Sequence, residues 1–251
     1  MPIAFTRAVS RRLADCVTTQ AESVDVARAV TQHAAYEAAL AKAGLEVRRL
    51  PALDAFPDGV FVEDTALLLG DHAVILRPGA PSRAGETEST AAGLMDAFEV
   101  HRLGAGHVDG GDVLRIDRTL YVGLSTRSDD AGVEALRRVV APLGFAVRTV
   151  PVAGGLHLKS AATWVDGLLV HNPGWISPDH FPGVDLLAVA PGEPLGGNVL
   201  RAGDILLTAA DSPRTAEALA AHGFDVVALD ISEMRKADAA LTCMSLISER
   251  V

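Results

Sequence analysis

The chain holds two cysteines, and one of them, Cys243, stands in KADAALTCMSLI, Lys236 to Ile247. A thiol there is either a small apolar side chain filling a core or, once ionised, a nucleophile. His157, in the apolar setting GLHLKSAAT, has the same two readings: a hydrogen-bonded core residue, or a general acid and base. No second His or Cys stands beside it at metal-ligand spacing, which argues against zinc. Glu63 and Asp64 are adjacent carboxylates within FVEDTALLL, a segment that reads as an apolar strand. Burying charge is costly unless it is paired. The pair therefore faces solvent, binds an internal arginine, or clamps a planar cation, since a guanidinium matches carboxylates bidentately.

HVDGGDVL supplies Asp109 and Asp112 around Gly110 and Gly111. A tight turn accounts for both glycines and one acid; a second acid suggests more. Arg83 (APSRAGET) and Arg127 (LSTRSDD) each follow the second strand of a repeated unit, in equivalent loops. Singly they read as surface arginines; facing one axis, they would hold a carboxylate. A GxGxxG after a strand, or another phosphate cradle, is missing from the sequence.

The elements that must bring these residues together recur along the chain. FVEDTALLLGDHAVILRPG, HVDGGDVLRIDRTLYVGLS, KSAATWVDGLLVHNPG and GGNVLRAGDILLTAAD each give a short apolar strand, a turn carrying Gly or Asp, and a second strand. VDVARAVTQHAAYEAALAKAG, DDAGVEALRRVVAPLG and DSPRTAEALAAHG are helical by spacing and stop signals, and a strand follows each. The unit is strand, strand, helix, strand at a period of roughly 40 to 50 residues. Five copies fit the length. The fifth is split, with KADAALTCMSLI completing strands that open at PIAFTRAV, which closes a ring around a central axis. One unit over residues 1–251 is expected.

Composition narrows the function. A formal charge of −10 disfavours nucleic acid and anionic membrane, and 49% hydrophobic residues are ample for a core. Two cysteines make no disulfide framework, so a reducing compartment is expected. There is no run of about 18 apolar residues, and MPIAFTRAVSRRLADC lacks the apolar stretch of a signal peptide. A cytoplasmic protein acting on a small molecule is the expectation.

FVEDTA, SRAGET, DGGDVL, HLKS and LTCMSL, in this order and spacing from near the start of the chain to Ser245, closely resemble the dimethylargininase (dimethylarginine dimethylaminohydrolase) family of the guanidine-modifying pentein superfamily. The resemblance implies an α/β fold, a five-bladed pseudo-fivefold propeller of ββαβ repeats around a central cavity. It implies Cys243 as nucleophile, His157 as general acid and base, and Asp109 as the acid that orients the histidine. It further implies Asp58, Glu63 and Asp64 as substrate-binding acids, and Arg83 and Arg127 as the carboxylate-binding arginines. Backbone carbonyls of Val9, in the lid, and Ala237 fall where the family contacts substrate. Val199 stands where mammalian members carry a second thiol.

The implied reaction takes asymmetric dimethylarginine to citrulline and dimethylamine, or monomethylarginine to citrulline and methylamine, through a covalent cysteine intermediate, with no cofactor and no metal. A homodimer is expected by analogy alone. Two alternatives remain: another guanidine hydrolase such as an arginine deiminase, whose family carries a helical insertion this chain lacks, and a non-catalytic binding protein of the same fold. The thiol, histidine and acids argue against the second.

Overall fold

In the computed structural model, residues 1–248 are described; the last three of the expected unit 1–251 lie outside the described residues. Strand β1 (Ile3–Arg7) leads through helix α1 (Val26–Lys42) to β2 (Glu46–Leu50). The second unit runs β3 (Ala66–Leu69), β4 (His72–Ile75), α2 (Glu86–Leu94) and β5 (Glu99–Arg102). The third runs β6 (Val113–Ile116), β7 (Thr119–Leu124), α3 (Asp130–Val140) and β8 (Ala146–Pro151). A short α4 (Leu158–Ala161) opens the fourth, β9 (Ala162–Val165), β10 (Leu168–His171) and β11 (Asp185–Ala188), in which a single 3-10 turn, Pro178–His180, stands in for the helix. The fifth runs β12 (Leu200–Ala202), β13 (Ile205–Ala209), α5 (Pro213–Ala221) and β14 (Asp225–Leu229); α6 (Ser232–Arg235) then leads to β15 (Leu246–Ile247).

These strands form five three-stranded sheets: β15-β1-β2, β3-β4-β5, β6-β7-β8, β9-β10-β11 and β12-β13-β14. In every one the first two strands are antiparallel and the last two parallel. Four blades begin with a hairpin closed by two residues. At Asp166–Gly167 both carry positive φ (+47° and +94°), the conformation for which Asp-Gly is favoured. In the remaining blade Ala4 and Phe5 pair with Ile247 and Leu246, so the two ends of the chain share one sheet.

Closure of the ring shows in the packing. Five apolar clusters each join one blade to the next. Phe5, Leu246, Ala73 and Leu94 join the first blade to the second. Val74, Leu120 and Leu136 join the second to the third, and Leu114, Val150 and Leu169 the third to the fourth. Val170, Leu206 and Leu219 continue to the fifth; Leu207, Tyr36, Leu40 and Ala4 return to the first. Each sheet can cover its apolar faces only against its neighbours, so burial itself favours the closed circle.

Candidate active site

Glu63, Asp64, Asp109, His157 and Cys243 lie neither in strands nor in long loops. They stand on or at the start of single helical turns placed immediately before the first strand of a blade. Glu63 and Asp64 belong to the 3-10 turn Val62–Thr65 and not to strand β3, which begins at Ala66. Asp109 precedes the turn Gly110–Asp112. His157 is the N-cap of α4. Cys243 sits on the turn Thr242–Met244, ahead of the closing strand and not in it. The reason is geometric. A strand sends alternate side chains to opposite faces, whereas one helical turn can aim its side chain and its backbone N–H groups together at the axis.

Hydrogen bonds tie these turns into a belt around the axis. Thr242 Oγ1 donates to Glu63 Oε2 at 2.9 Å. The Gly111 N–H donates to Asp64 Oδ1 at 2.9 Å, and the Leu158 N–H to Asp112 Oδ1 at 2.9 Å. Asn198 Nδ2 donates to the Lys159 carbonyl at 2.8 Å and its Oδ1 accepts from the Thr242 N–H at 3.2 Å, which returns to the start. The two glycines of DGGD are explained by this crowding. A Cβ on Gly110 would lie 2.0 Å from the Glu63 carbonyl oxygen, and one on Gly111 2.5 Å from His157 Nδ1. Neither has positive φ.

On this belt stands a narrow cavity of about 20 Å³. Asp58, Asp64, Arg83, Arg127, His157, Ala237 and Cys243 all line it, joined by Val17, Phe61 and Asp238. Three expected site residues are placed otherwise. Asp109 stands behind the histidine, fully buried, with Oδ2 3.0 Å from His157 Nε2 and Oδ1 accepting from the Gly79 N–H. Glu63 faces Thr242 and Lys159, whose Nζ is 2.5 Å from Oε1, and is not in the cavity wall. Val9 packs against the apolar cluster between the first and fifth blades. The residue of this segment that lines the cavity is instead Val17, 42% exposed, whose N–H donates to Asp58 Oδ1 at 3.2 Å. The chain is anchored by fully buried Leu13 before it reaches the cavity, which places Val9 too early. Beyond Val17, Thr18 donates to the Lys236 carbonyl and Thr19 to Asp238, tying the segment to the loop that carries Ala237.

The electrostatics divide the site in two. Asp64 is fully buried beside Arg83, with Nη1–Oδ2 at 2.5 Å. Burial alone would raise its pKa; the charges of His157 and Arg83 and the Gly111 N–H outweigh that and hold it at about 2. Arg83 also meets Glu86 at 2.8 Å and donates to the Phe61 carbonyl, and is held even more firmly charged than usual. Glu86 and Asp58 are pushed up, because burial outweighs the arginine's pull. For His157 burial opposes the charge, but Asp64, the Asp109 hydrogen bond and Asp112 win and raise it to about 9. The Cys243 thiol is pushed strongly up, first by burial and then by the charges of Glu63 and Asp64; the Ala240 N–H, 3.4 Å from Sγ, and Lys159 only partly offset this. At neutral pH the site therefore holds a charged histidine and a neutral thiol.

Donor atoms of Asp64, Asp109 and His157 lie within 4.8 Å of one another. Each is already engaged, with Arg83, Gly79 and Asp109 as partners. Sequence reasoning missed Val17, Asp238 and the belt residues Asn198 and Thr242. For Asn198 a signal exists, because GGNVLR repeats GGDVLR and puts Asn198 where Asp112 stands.

No family model matches the chain. Curated relatives do. A protein of Streptomyces coelicolor described as N(G),N(G)-dimethylarginine dimethylaminohydrolase is 42% identical over 97% of this chain and 95% of its own length. One of Pseudomonas aeruginosa with the same description is 32% identical over 96% of each. The solved structure of a cysteine-to-serine variant of the Pseudomonas enzyme, complexed with citrulline, superposes with a TM-score of 0.94 at 31% identity, covering 97% of this chain and 98% of that one.

Proposed function

The chain belongs to the N(G),N(G)-dimethylarginine dimethylaminohydrolase family, and we propose that it hydrolyses asymmetric dimethylarginine and monomethylarginine to citrulline at the cavity around Cys243. The observation that carries the reading is the joint lining of that cavity by a thiol, an acid-held histidine, three carboxylates and two arginines. Acids on the belt and wall outnumber the cations, so a cationic guanidinium is drawn in.

The charge states set the sequence of events. His157 already carries its proton and cannot take one from the thiol. The thiol is held neutral by burial and by anionic neighbours, and the positive charge of a bound guanidinium offsets the anionic part and favours the thiolate. Substrate therefore promotes its own nucleophile: the thiol proton departs to solvent as the cation seats beside Asp64 and Asp58. Sγ attacks the guanidinium carbon, forming a C–S bond. The C–N bond to the methylated nitrogen breaks, and its electron pair takes the proton from His157. With Nε2 engaged by Asp109, Nδ1 is the nitrogen that gives it. Neutral His157 then removes one proton from water, whose oxygen adds to the same carbon; the C–S bond breaks with its electron pair returning to sulfur, the second proton of the water restores the thiol, and citrulline leaves. Asp109 holds the ring in place and stabilises its charged form through both halves.

Arg127, half-buried and without an ion-pair partner among the described residues, is the arm that would take the substrate α-carboxylate. The lid from Val17 to Gln20 closes over it through Asp58 and Asp238.

The test is to supply purified protein with asymmetric dimethylarginine, monomethylarginine and arginine and to assay citrulline. Citrulline is expected from the methylated substrates in preference to arginine, and none from Cys243→Ser. Preference for arginine, or turnover by the serine variant, overturns the reading.

A further inference from the structure

The rim of the second blade carries a cluster unrelated to the cavity. In the parallel pair β4–β5, His72 stands opposite Glu99 and Val74 opposite His101. His72, Glu99 and His101 thereby converge on one face at the outer edge of the sheet, where β5 is the last strand. His72 Nδ1 and His101 Nε2 are 3.1 Å apart. Glu99 Oε2 is 3.5 Å from the first, and Oε1 3.7 Å from the second. None of the three lines the Cys243 cavity, and the reaction uses none of them.

We propose that His72, His101 and Glu99 form a surface site for a borderline divalent transition metal, of which zinc(II) is the representative. The spacing fits before any rearrangement. Ligands about 2.0–2.1 Å from a tetrahedral zinc stand about 3.4 Å from one another, and at an octahedral angle about 2.9 Å. The ring nitrogens are 3.1 Å apart, and the two Glu99 oxygens lie 3.5 and 3.7 Å from one nitrogen each, so the distances bracket the tetrahedral value and a turn of the exposed carboxylate presents an oxygen to a shared ion. Two imidazoles and one carboxylate are a donor set suited to zinc, nickel or copper and poorly suited to magnesium or calcium, which prefer oxygen. Two ring nitrogens that face each other at 3.1 Å must share one proton when no metal is bound. A metal replaces that proton and satisfies both lone pairs. The three side chains keep 29%, 26% and 68% of their exposure, so a solvated ion can reach them and the remaining positions stay with water.

Binding would tie the start of β4 to β5 across the segment 76–98, which carries Arg83 and Glu86. The site would act as a stabilising staple on the rim, without a part in the chemistry.

The experiment uses tag-free, metal-stripped Cys243→Ser protein, so that no thiolate competes at the cavity. Zinc(II) is titrated calorimetrically at pH 7.5, and the melting temperature is measured with and without zinc. One site and a raised melting temperature are expected. Adding His101→Ala, or separately His72→Ala, should weaken the affinity at least tenfold and abolish the thermal shift; Glu99→Gln should weaken it less. The apo melting temperatures of these variants report whether the exposed substitutions leave the fold intact. Absence of binding to the first protein, or equal affinity after loss of either histidine, overturns the site.

Discussion

Arg83 and Arg127 stand on equivalent loops of neighbouring blades, and both line the Cys243 cavity. Their surroundings are opposite. Arg83 is 4% exposed and saturated: Asp64, Glu86 and the Phe61 carbonyl occupy its donors. Arg127 is half-buried and has no ion-pair partner among the described residues. An arginine whose donors are already taken supports a wall and aligns what touches it. An arginine with free donors is available to a ligand. Under the proposed function, the difference gives Arg83 the alignment of Asp64 and gives Arg127 the larger share in capturing a substrate carboxylate.

The largest effect should come from Arg83→Ala. Asp64 and Glu86 would be left as buried charges without a cation, and breaking such a pair costs about 3–5 kcal/mol. Denaturant unfolding should register that loss, and citrulline formation should vanish along with Asp64's alignment. A variant with wild-type stability would show that the two arginines are alike after all.

Asp64→Asn comes next, because Arg83 keeps Glu86 and its carbonyl partners. Asp64 is at once partner to an internal arginine and part of the cavity wall, so clamp and scaffold are one residue here and both readouts should move. Misplacing the reacting carbon by about 1 Å costs on the order of 10²-fold in rate, so kcat/KM per folded molecule should fall by that order. Stability should drop too, by less than in Arg83→Ala. Normal kcat/KM in the folded fraction would reduce Asp64 to scaffold.

Arg127→Ala should leave the melting temperature unchanged. Loss of a charge-assisted hydrogen bond is worth about 1.5–3 kcal/mol, which would raise KM for asymmetric dimethylarginine by roughly 10- to 150-fold. A substrate lacking the α-carboxylate should be unaffected. Equal losses on both substrates would place Arg127 with Arg83.

The contrast between the arginines was not legible in the sequence, and the reason is physical. Alternating apolar runs and two-residue turns specify strands and hairpins locally, so the blades and the split fifth unit could be read directly. Ring closure then brings Asp64, Arg83 and Glu86 together, and no local pattern separates an arginine that meets buried acids from one that meets solvent. The same blindness hid the turns. FVED reads as a strand because Val62 and the leucines are apolar, yet Glu63 and Asp64 need one helical turn to reach Thr242 on one side and Gly111 on the other. The thiol, the histidine and the acids stand out by residue type, whereas the resemblance points to Val9 where Val17 is the residue of that segment lining the cavity. Position within a polar loop depends on where the chain is anchored, here at Leu13, and no periodicity marks it.

The smallest effect concerns pH and isolates the histidine side of the site from the Arg83 side. The guanidinium of Arg83 does not titrate in the ordinary range, and Asp64, held at about 2, contributes stability that is lost only as pH falls through that value. His157 has the opposite sign: its folded pKa is raised to about 9 from an ordinary 6.5. A group raised in the folded state stabilises fully below its unfolded pKa and loses that contribution as pH rises through the folded one. Between pH 5 and 9.5, then, the Arg83–Asp64 pair contributes a constant amount, while the contribution of His157 is full up to about 6.5 and gone above about 9. The difference in melting temperature between wild type and His157→Gln should be greatest near pH 6 and shrink steadily towards pH 9.5. Taking the difference cancels the titrations the two proteins share. A difference that stays flat across this range would show that Asp64 and Asp109 do not hold the histidine proton, and the charged general acid on which amine departure depends would have to come from elsewhere.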